Sequence, residues 1–281
     1  MSSAPAGGRL VVCATPIGNL GDVTLRVLDA LKAADIVAAE DTRVTRKLFT
    51  RYEIATPLER CDEHTIERQA PQLVERMLGG QVIAFVSDAG TPGVSDPGAR
   101  LIAAAVEAGV PVEPMPGASA LLAALVASGL PMRRFYFGGF LARKAGERRR
   151  ELDALATLDA TLVFYESPRR SAAALAALAE AFPGRRAAVA RELTKLHEEV
   201  VRGSVEEVAA QIAGRDSLKG EVVLLVGPPP HDAPKAELDA ADIRARVDAV
   251  VAAGSTRSGA VKQVAAELGV SRSEVYDIAH K

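Results

Sequence analysis

The sequence predicts an α/β protein built from two comparable halves and followed by a small helical module. Strand-length apolar, β-branched runs alternate with helix-length amphipathic segments along most of the chain, the pattern of βαβ units. Residues 227–235 (GPPPHDAPK) then place four prolines in nine positions, where neither a helix nor a central strand can continue. Beyond that break the periodicity is helical only. With 281 residues the chain is long enough for two domains or one large α/β unit.

In the first half, residues 9–14 (RLVVCA), 35–39 (DIVAA), 81–87 (QVIAFVS) and 110–115 (VPVEPM) read as strands. The amphipathic segments 24–32 and 65–78 read as helices between them, so this sheet is predicted to be mostly parallel. Residues 118–130 are the longest apolar stretch, interrupted by Ser119, Ser128 and Gly129 and too short to span a membrane. They read as a buried helix near which the halves meet. Residues 134–140 (RFYFGGF), 161–165 (TLVFY), 187–191 (AAVAR), 199–202 (EVVR) and 221–226 (EVVLLV) are the strands of the second half. The last two are expected to pair antiparallel with each other, making the second sheet mixed. Three helices are predicted in the tail, at 240–253, 259–268 and 271–279, with Gly269 and Val270 in the turn and Ser271 as N-cap. The expected division is 9–117, 118–226, a linker at 227–238 and a helix-turn-helix-like tail at 239–281.

Composition narrows the function classes. Hydrophobic residues make up 48% and charged residues 25%, which is ordinary globular composition. The 34 Lys and Arg against 36 Asp and Glu leave a net charge of -2, which taken globally argues against a dedicated polyanion binder. Two cysteines, Cys13 and Cys61, are too few for a disulfide framework and point to a reducing, cytoplasmic compartment. Residues 1–8 have neither the basic start nor the long apolar run of an export leader, and no membrane association is expected. The four histidines lack ligand spacing, so no metal site is expected.

Open α/β sheets collect ligands at the carboxyl ends of their strands. Six turns there are rich in Gly, Pro and small residues: TPIGNLGD (15–22), SDAGTPG (87–93), PGASA (116–120), YESP (165–168), RELTK (191–195) and KGE (219–221). The first is neither a GxGxxG fingerprint nor a P-loop. Backbone carbonyls, small side chains and few fixed cations do not suit a pyrophosphate. They suit a nucleoside whose reactive group is itself cationic, with carbonyl oxygens accepting weak C–H hydrogen bonds from an electron-poor methyl.

Those turns, with EDTR (40–43), DPG (96–98) and FYES (164–167), together resemble the tetrapyrrole-methylase family, and within it the branch that acts on ribosomal RNA. The likeness runs in order from residue 9 to 226, and the three-helix tail is similar too. It implies a two-domain tetrapyrrole-methylase-like fold (a class III methyltransferase) that uses S-adenosylmethionine. It also implies transfer to the ribose 2′-hydroxyl of a cytidine, cytidine 1402, in the decoding region of 16S rRNA within the small ribosomal subunit. A homodimer is implied as well. Carried onto matching positions, the cofactor residues are Ile17, Gly18, Asp88, Ala89, Gly90, Thr91, Ser119, Ala120, Tyr165, Leu193, Glu221 and Val222. Pro16 and Asn19 join them where the substrate hydroxyl approaches. The family's glycine-rich first loop is replaced here by Thr15 to Leu20, which points away from porphyrin substrates.

Methyl transfer to a ribose hydroxyl is helped by a base, whether carboxylate, His or a Lys of depressed pKa. Glu192, Lys195, Glu166 and His64 are the candidates, and Lys195 beside Glu192 is the preferred pair; a structural ion pair at a strand end is the alternative. Between residues 131 and 150 lie Arg133, Arg134, Arg143, Lys144, Arg148, Arg149 and Arg150 against Glu147 alone. That segment is the expected RNA phosphate contact, with a solvated helix face as its alternative. The tail carries Arg244, Arg246, Arg257, Lys262, Arg272 and Lys281 against Asp239, Asp242, Asp248, Glu267, Glu274 and Asp277. It suits packing or ribosome docking as well as direct nucleic-acid reading. A small-molecule methyltransferase acting on a tetrapyrrole or corrin precursor, or a DNA-binding regulator, are the rival functions.

Overall fold

The structure is a computed structural model that describes residues 7–215, 218–230, 240–268 and 272–279. The chain separates into two units, one ending at Pro229 and one beginning at Pro230. The first unit opens with β1 (Arg9–Cys13), α1 (Leu25–Ala33), β2 (Ile36–Ala39), α2 (Thr42–Arg51), β3 (Leu58–Arg60), α3 (Ile66–Leu78), β4 (Val82–Val86), α4 (Gly98–Glu107) and β5 (Val112–Met115). These five strands form a wholly parallel sheet in the order β3-β2-β4-β1-β5. Because side chains alternate along a strand, β1 sends Leu10 and Val12 to a core shared with α3 and α4. Val11 and Cys13 enter the opposite core, with Val27 and Leu31 of α1 and Leu48 and Phe49 of α2. A sheet covered on both faces is what continuous apolar runs such as VIAFV require.

The second part of this unit contains α5 (Ala120–Ser128), β6 (Phe135–Phe140), α6 (Ala145–Ala154), β7 (Thr161–Glu166), α7 (Pro168–Ala181), β8 (Arg186–Arg191), β9 (Glu199–Ser204), α8 (Val205–Ala213) and β10 (Val222–Val226). Its sheet is mixed, in the order β6-β7-β10-β8-β9. The expected pairing of the last two strands does not form, because β8 lies between them: β10 runs antiparallel to both β7 and β8, and β9 pairs with β8. Burial explains the order. All five residues of β10 (VVLLV) are buried and take the centre, whereas β9 buries Val201 alone and takes an edge. A capping box between Ser204 and Glu207 then starts α8 directly after β9.

Two further expectations change. The 118–130 stretch is helical, but α5 is not wholly buried: Ala124 and Leu125 face the second sheet while Leu122 and Val126 are exposed. Helices α2 and α4 and the three-residue β3 were not anticipated. In the second unit, α9 (Ala240–Ala252), α10 (Arg257–Leu268) and α11 (Arg272–Ala279) enclose a core of their own around Ile243, Val247, Val261, Val264 and Val275. Arg244 and Arg257 donate to the carbonyls of Ile278 and Ala279, satisfying the open end of α11. The predicted turn at Gly269 and Val270, the Ser271 cap, residues 231–238 of the linker and the first residue of the tail, 239, lie outside the described residues.

Candidate functional site

The strand order fixes where a ligand can sit. From β1 the chain crosses over β4 to reach β2, and from β4 it crosses over β1 to reach β5, so the connections diverge at the β1/β4 pair. The loops leaving the carboxyl ends of these two strands part there and open a crevice. They are stitched together by a two-hydrogen-bond bridge between Thr15 and Gly90 (2.9 and 3.0 Å), and the Thr15 hydroxyl donates to the Ser87 carbonyl (3.2 Å). The Asp96 carboxylate closes the next turn by accepting from the Gly93 and Gly98 amides (2.8 and 2.7 Å). Gly98 is required at this point, since a Cβ would stand 2.4 Å from the Phe85 ring.

The crevice is a cleft of about 430 Å³. From the first sheet it is lined by Ile17, Glu40, Ser87 to Thr91 and Val94 to Asp96, and from α5 by Ser119 and Ala120. Phe140, Tyr165 to Pro168 and Gly220 to Val223 close it from the second sheet. Tyr165 is fixed by the Leu121 amide, which donates to its hydroxyl (3.1 Å), and by the edges of Phe137 and Phe140 (4.9 and 5.8 Å between ring centroids).

Five carboxylates line this largely apolar space: Glu40, Asp88, Asp96, Glu166 and Glu221. The Asp88 amide donates to Glu40 (3.2 Å) and the Asp41 amide donates to Asp88 (2.9 Å), so the ends of β2 and β4 hold each other. Burial raises the pKa of Glu40, and the charges of Asp88, Asp96 and Asp62 add to that rise. Burial likewise raises Asp88, with Asp41 and Asp96 adding their repulsion against the hydrogen bond from Asp41. A site that gathers carboxylates against their own repulsion is poised for a cation.

A second chamber of about 300 Å³ adjoins the first and shares Ile17, Ser87, Asp88, Ala89 and Glu221 with it. Pro16, Gly18, Leu20, Val44, Lys47 and Lys195 also line it. Lys195 Nζ donates to Glu192 Oε1 (2.8 Å) and lies 3.4 Å from Glu221 Oε2. Its stem passes over Gly18, where a Cβ would meet the Lys195 Cγ at 2.4 Å. Burial alone would lower the Lys195 pKa, but the hydrogen bond of Glu192 and the charges of Glu192 and Glu221 outweigh it and raise the pKa. That direction speaks against Lys195 as a lysine base of depressed pKa. Glu192, held down by that same hydrogen bond, is a weak base as well.

Of the expected site residues, Ile17, Asp88 to Thr91, Ser119, Ala120, Tyr165, Glu221 and Val222 line the cleft, and Pro16, Gly18 and Lys195 line the second chamber. Asn19, Glu192 and Leu193 line neither. Asn19 accepts from the Gly21 amide (3.0 Å) in a short 3-10 turn at Leu20–Asp22, and Leu193 is buried with Ile17 in the apolar layer behind the cleft. Glu166 lines the cleft but accepts from the Ser167 amide (2.7 Å) and pairs with Arg170 (3.1 Å). His64 is exposed and outside both linings. Glu40, Asp96 and Phe140 are among the lining groups that were not expected, although Glu40 and Asp96 stand in the EDTR and DPG motifs.

The basic segment at 133–150 is less free than its composition suggests. Arg134 pairs with Asp159 (3.3 Å), Lys144 with Glu147 (3.2 Å) and Arg149 with Asp153 (2.8 Å). Arg148 is turned onto the Ala142 carbonyl (3.4 Å). Two of those carboxylates lie beyond residue 150 in the sequence, so a count confined to the segment overlooks them.

Residues 9–209 match the family described as Tetrapyrrole (Corrin/Porphyrin) Methylases. The chain is 42% identical to Ribosomal RNA small subunit methyltransferase I of Bacillus subtilis, over 97% of this chain and 94% of that protein. It is 47% identical to the protein of the same name from Mesorhizobium japonicum, over 80% of this chain and 76% of the relative. Among solved structures, the methyltransferase CobJ superposes with a TM-score of 0.60 at 25% identity, covering 79% of this chain and 94% of that one. Uroporphyrin-III C-methyl transferase from Thermus thermophilus, complexed with S-adenyl homocysteine, has a TM-score of 0.56 at 20% identity, covering 78% and 97%. At that identity the likeness speaks for the fold.

Proposed function

We propose, because the chain belongs to the tetrapyrrole (corrin/porphyrin) methylase family, that it methylates 16S ribosomal RNA with S-adenosylmethionine as donor. The acceptor we assign is the ribose 2′-hydroxyl of a cytidine, cytidine 1402 of the decoding region. The names of the relatives support the ribosomal substrate, and the loop Thr15 to Leu20 supports that branch over corrin and porphyrin chemistry. The observation that carries this assignment is the contact between an acidic chamber and a smaller one that adds cations to it. Glu40, Asp88, Asp96, Glu166 and Glu221 line the larger with no Lys or Arg, and Lys47 and Lys195 join Asp88 and Glu221 in the smaller. A sulfonium donor with an ammonium group suits the first, and a strand of phosphodiesters suits the second.

The residues fit the donor. A volume of about 430 Å³ is within the range of small-molecule sites, and Ala89, Gly90, Ser119 and Ala120 leave room for a folded nucleoside. We assign its binding to Ile17, Asp88 to Thr91, Ser119, Ala120, Tyr165, Glu221 and Val222, with Leu193 backing Ile17. Pro16, Gly18 and Asn19 belong to the loop that separates donor from acceptor. When bound, S-adenosylmethionine supplies an electrophilic methyl group on sulfur. The ribose oxygen forms the new O–C bond as the C–S bond breaks, the C–S electron pair stays on sulfur, and the hydroxyl proton passes to a protein base. Asp88 is the group we assign to take it, on a carboxylate oxygen. It lines both chambers, and its raised pKa brings it nearer the working pH than Glu192. Lys195, kept protonated, orients Glu192 and Glu221 and presents a fixed positive charge to the acceptor strand.

The same reading takes residues 9–117 and 118–226 as the two domains, and a cytoplasmic homodimer as the working form. The exposed Leu122 and Val126, one turn apart on α5, support the dimer. Labelled methyl transfer to small ribosomal subunits lacking the modification, followed by mass-spectrometric mapping, is the test. One methyl group on a single cytidine ribose is expected. A methylated corrin or porphyrin precursor with unlabelled rRNA would transfer the assignment to the small-molecule branch.

A further inference from the structure

We propose that α2 is the surface on which the RNA backbone docks, leading the acceptor strand into the chamber lined by Lys47 and Lys195. This inference rests on the substrate being RNA and adds to it a contact surface distinct from the 133–150 segment. Composition is the first support. Thr42–Arg51 (TRVTRKLFTR) carries Arg43, Arg46, Lys47 and Arg51 and no acidic residue. Arg43, Lys47 and Arg51 recur at every fourth position, so they follow one another along one face of the helix. Like charges at this spacing oppose helix formation, and α2 contains no carboxylate to offset them. A partner that brings negative charge would relieve that repulsion.

Pairing is the second support. Arg43 is engaged by Asp41 at 2.6 Å. Arg46, Lys47 and Arg51 are exposed and, among the described residues, make no ion pair. In the 133–150 segment Arg134, Lys144 and Arg149 are each paired with a carboxylate. Arg148 apart, the cations there without an ion pair among the described residues, Arg133, Arg143 and Arg150, are spread over eighteen positions where those of α2 fall within six.

Position is the third. Lys47 lines the chamber that also holds Lys195, beside Val44 and Leu48. Arg46 lines a groove formed with Phe49, Thr50 and the loop after α2. Lys47 thus stands in the chamber where the acceptor ribose must enter, with Asp88 common to both chambers, and Arg46 and Arg51 continue the basic surface along the same helix. The spacing along a helix and the continuity with a reactive chamber favour a linear polyanion over an acidic protein patch, which would have no use for the chamber.

The test compares two full-length triple variants, Arg46→Gln with Lys47→Gln and Arg51→Gln, and Arg133→Gln with Arg143→Gln and Arg150→Gln. Binding to unmodified small ribosomal subunits is measured from low to high salt, with S-adenosylmethionine binding and thermal unfolding as controls for the fold. Each phosphate contact with single-stranded RNA contributes about 0.7 to the slope of log affinity against log salt. Loss of about 2 from the slope in the α2 variant, with donor binding intact, is expected. An unchanged slope in that variant, or the whole loss in the other, would overturn the assignment of α2. Methylation by the wild-type chain in the same preparations reports separately on the function: a chain that binds with the full slope yet transfers no methyl group keeps the surface and loses the activity.

Discussion

At Lys195 two effects oppose each other on one ammonium group. Partial burial favours loss of the proton, while the hydrogen bond to Glu192 at 2.8 Å and the nearby Glu221 favour keeping it, and the second effect wins. Lys195 is therefore a positioning cation. Lys195→Ala is expected to lower kcat by about 10²-fold, the scale of losing one fixed electrostatic group, while the dissociation constant for S-adenosylmethionine changes little. Lys195→Arg should restore part of the rate, because charge is what the site needs; full activity in the alanine variant would remove Lys195 from the mechanism. Glu40 and Asp88 show the opposite balance. Their pKa values are raised above the ordinary 4.5 and 3.8, chiefly by burial, so the ionised form of each is held less firmly than in water. A cationic donor favours the ionised forms, and its affinity must fall as the pH drops through those raised values. Calorimetric titration in two buffers of different ionisation heat is expected to show proton release on binding at mildly acidic pH, and a pH-independent affinity would contradict it.

Single elements show which physical features a sequence advertises. Strands β1, β4 and β10 were legible because nearly every residue in them is apolar and ends up covered on both faces. Helix α2 was not, since four of its ten residues are basic and its buried side is reduced to Thr45, Leu48 and Phe49. Pairing was less legible than existence: EVVR alone does not say that β9 takes an edge. A charge cluster joining distant positions reinforces the edge that burial assigns, with Glu199 taking two bonds of 2.7 Å from Arg215 and one of 3.2 Å from Arg191. Hydrogen bonding from Arg215 first, then Arg191, brings the Glu199 pKa down to about 2 from 4.5. Because the folded value lies below the unfolded one, this carboxylate stabilises the protein fully above pH 4.5. That contribution is lost as the pH falls toward 2. Glu199→Gln is expected to cost about 1 kcal/mol at neutral pH, after allowance for solvent screening of a carboxylate one-third exposed, and to flatten acid destabilisation in that window. Denaturant titrations at neutral and acid pH measure both; parallel pH profiles for the two proteins would refute it.

At the scale of the whole molecule the near-neutral net charge of -2 conceals a separation of signs, acidic in the cleft and basic on α2. Composition reports only the average, which is why the bulk charge argued against a polyanion partner. The turns lining the cleft were readable because Gly, Pro and small residues at strand ends have a steric reason to be there, as at Gly18 and Gly98. The carboxylates of Glu40 and Asp96 were not singled out, because nothing local distinguishes a cleft-facing acid from a solvated one. The same scale governs unfolding. Residues 1–229 and 230–281 form separate compact units, and the core of the second comes from α9, α10 and α11 alone. A unit of 52 residues buries little surface and is marginal in stability. With unfolding enthalpy at about 0.7 kcal/mol per residue, two calorimetric transitions are expected, with enthalpies near a ratio of about one to four. A chain ending at Pro229 should lose the smaller transition, keep the larger at its original temperature and still bind S-adenosylmethionine. If the truncated chain instead unfolds at a markedly lower temperature, the two units fold as one cooperative body, and the tail must be counted among the elements that hold the cleft in shape.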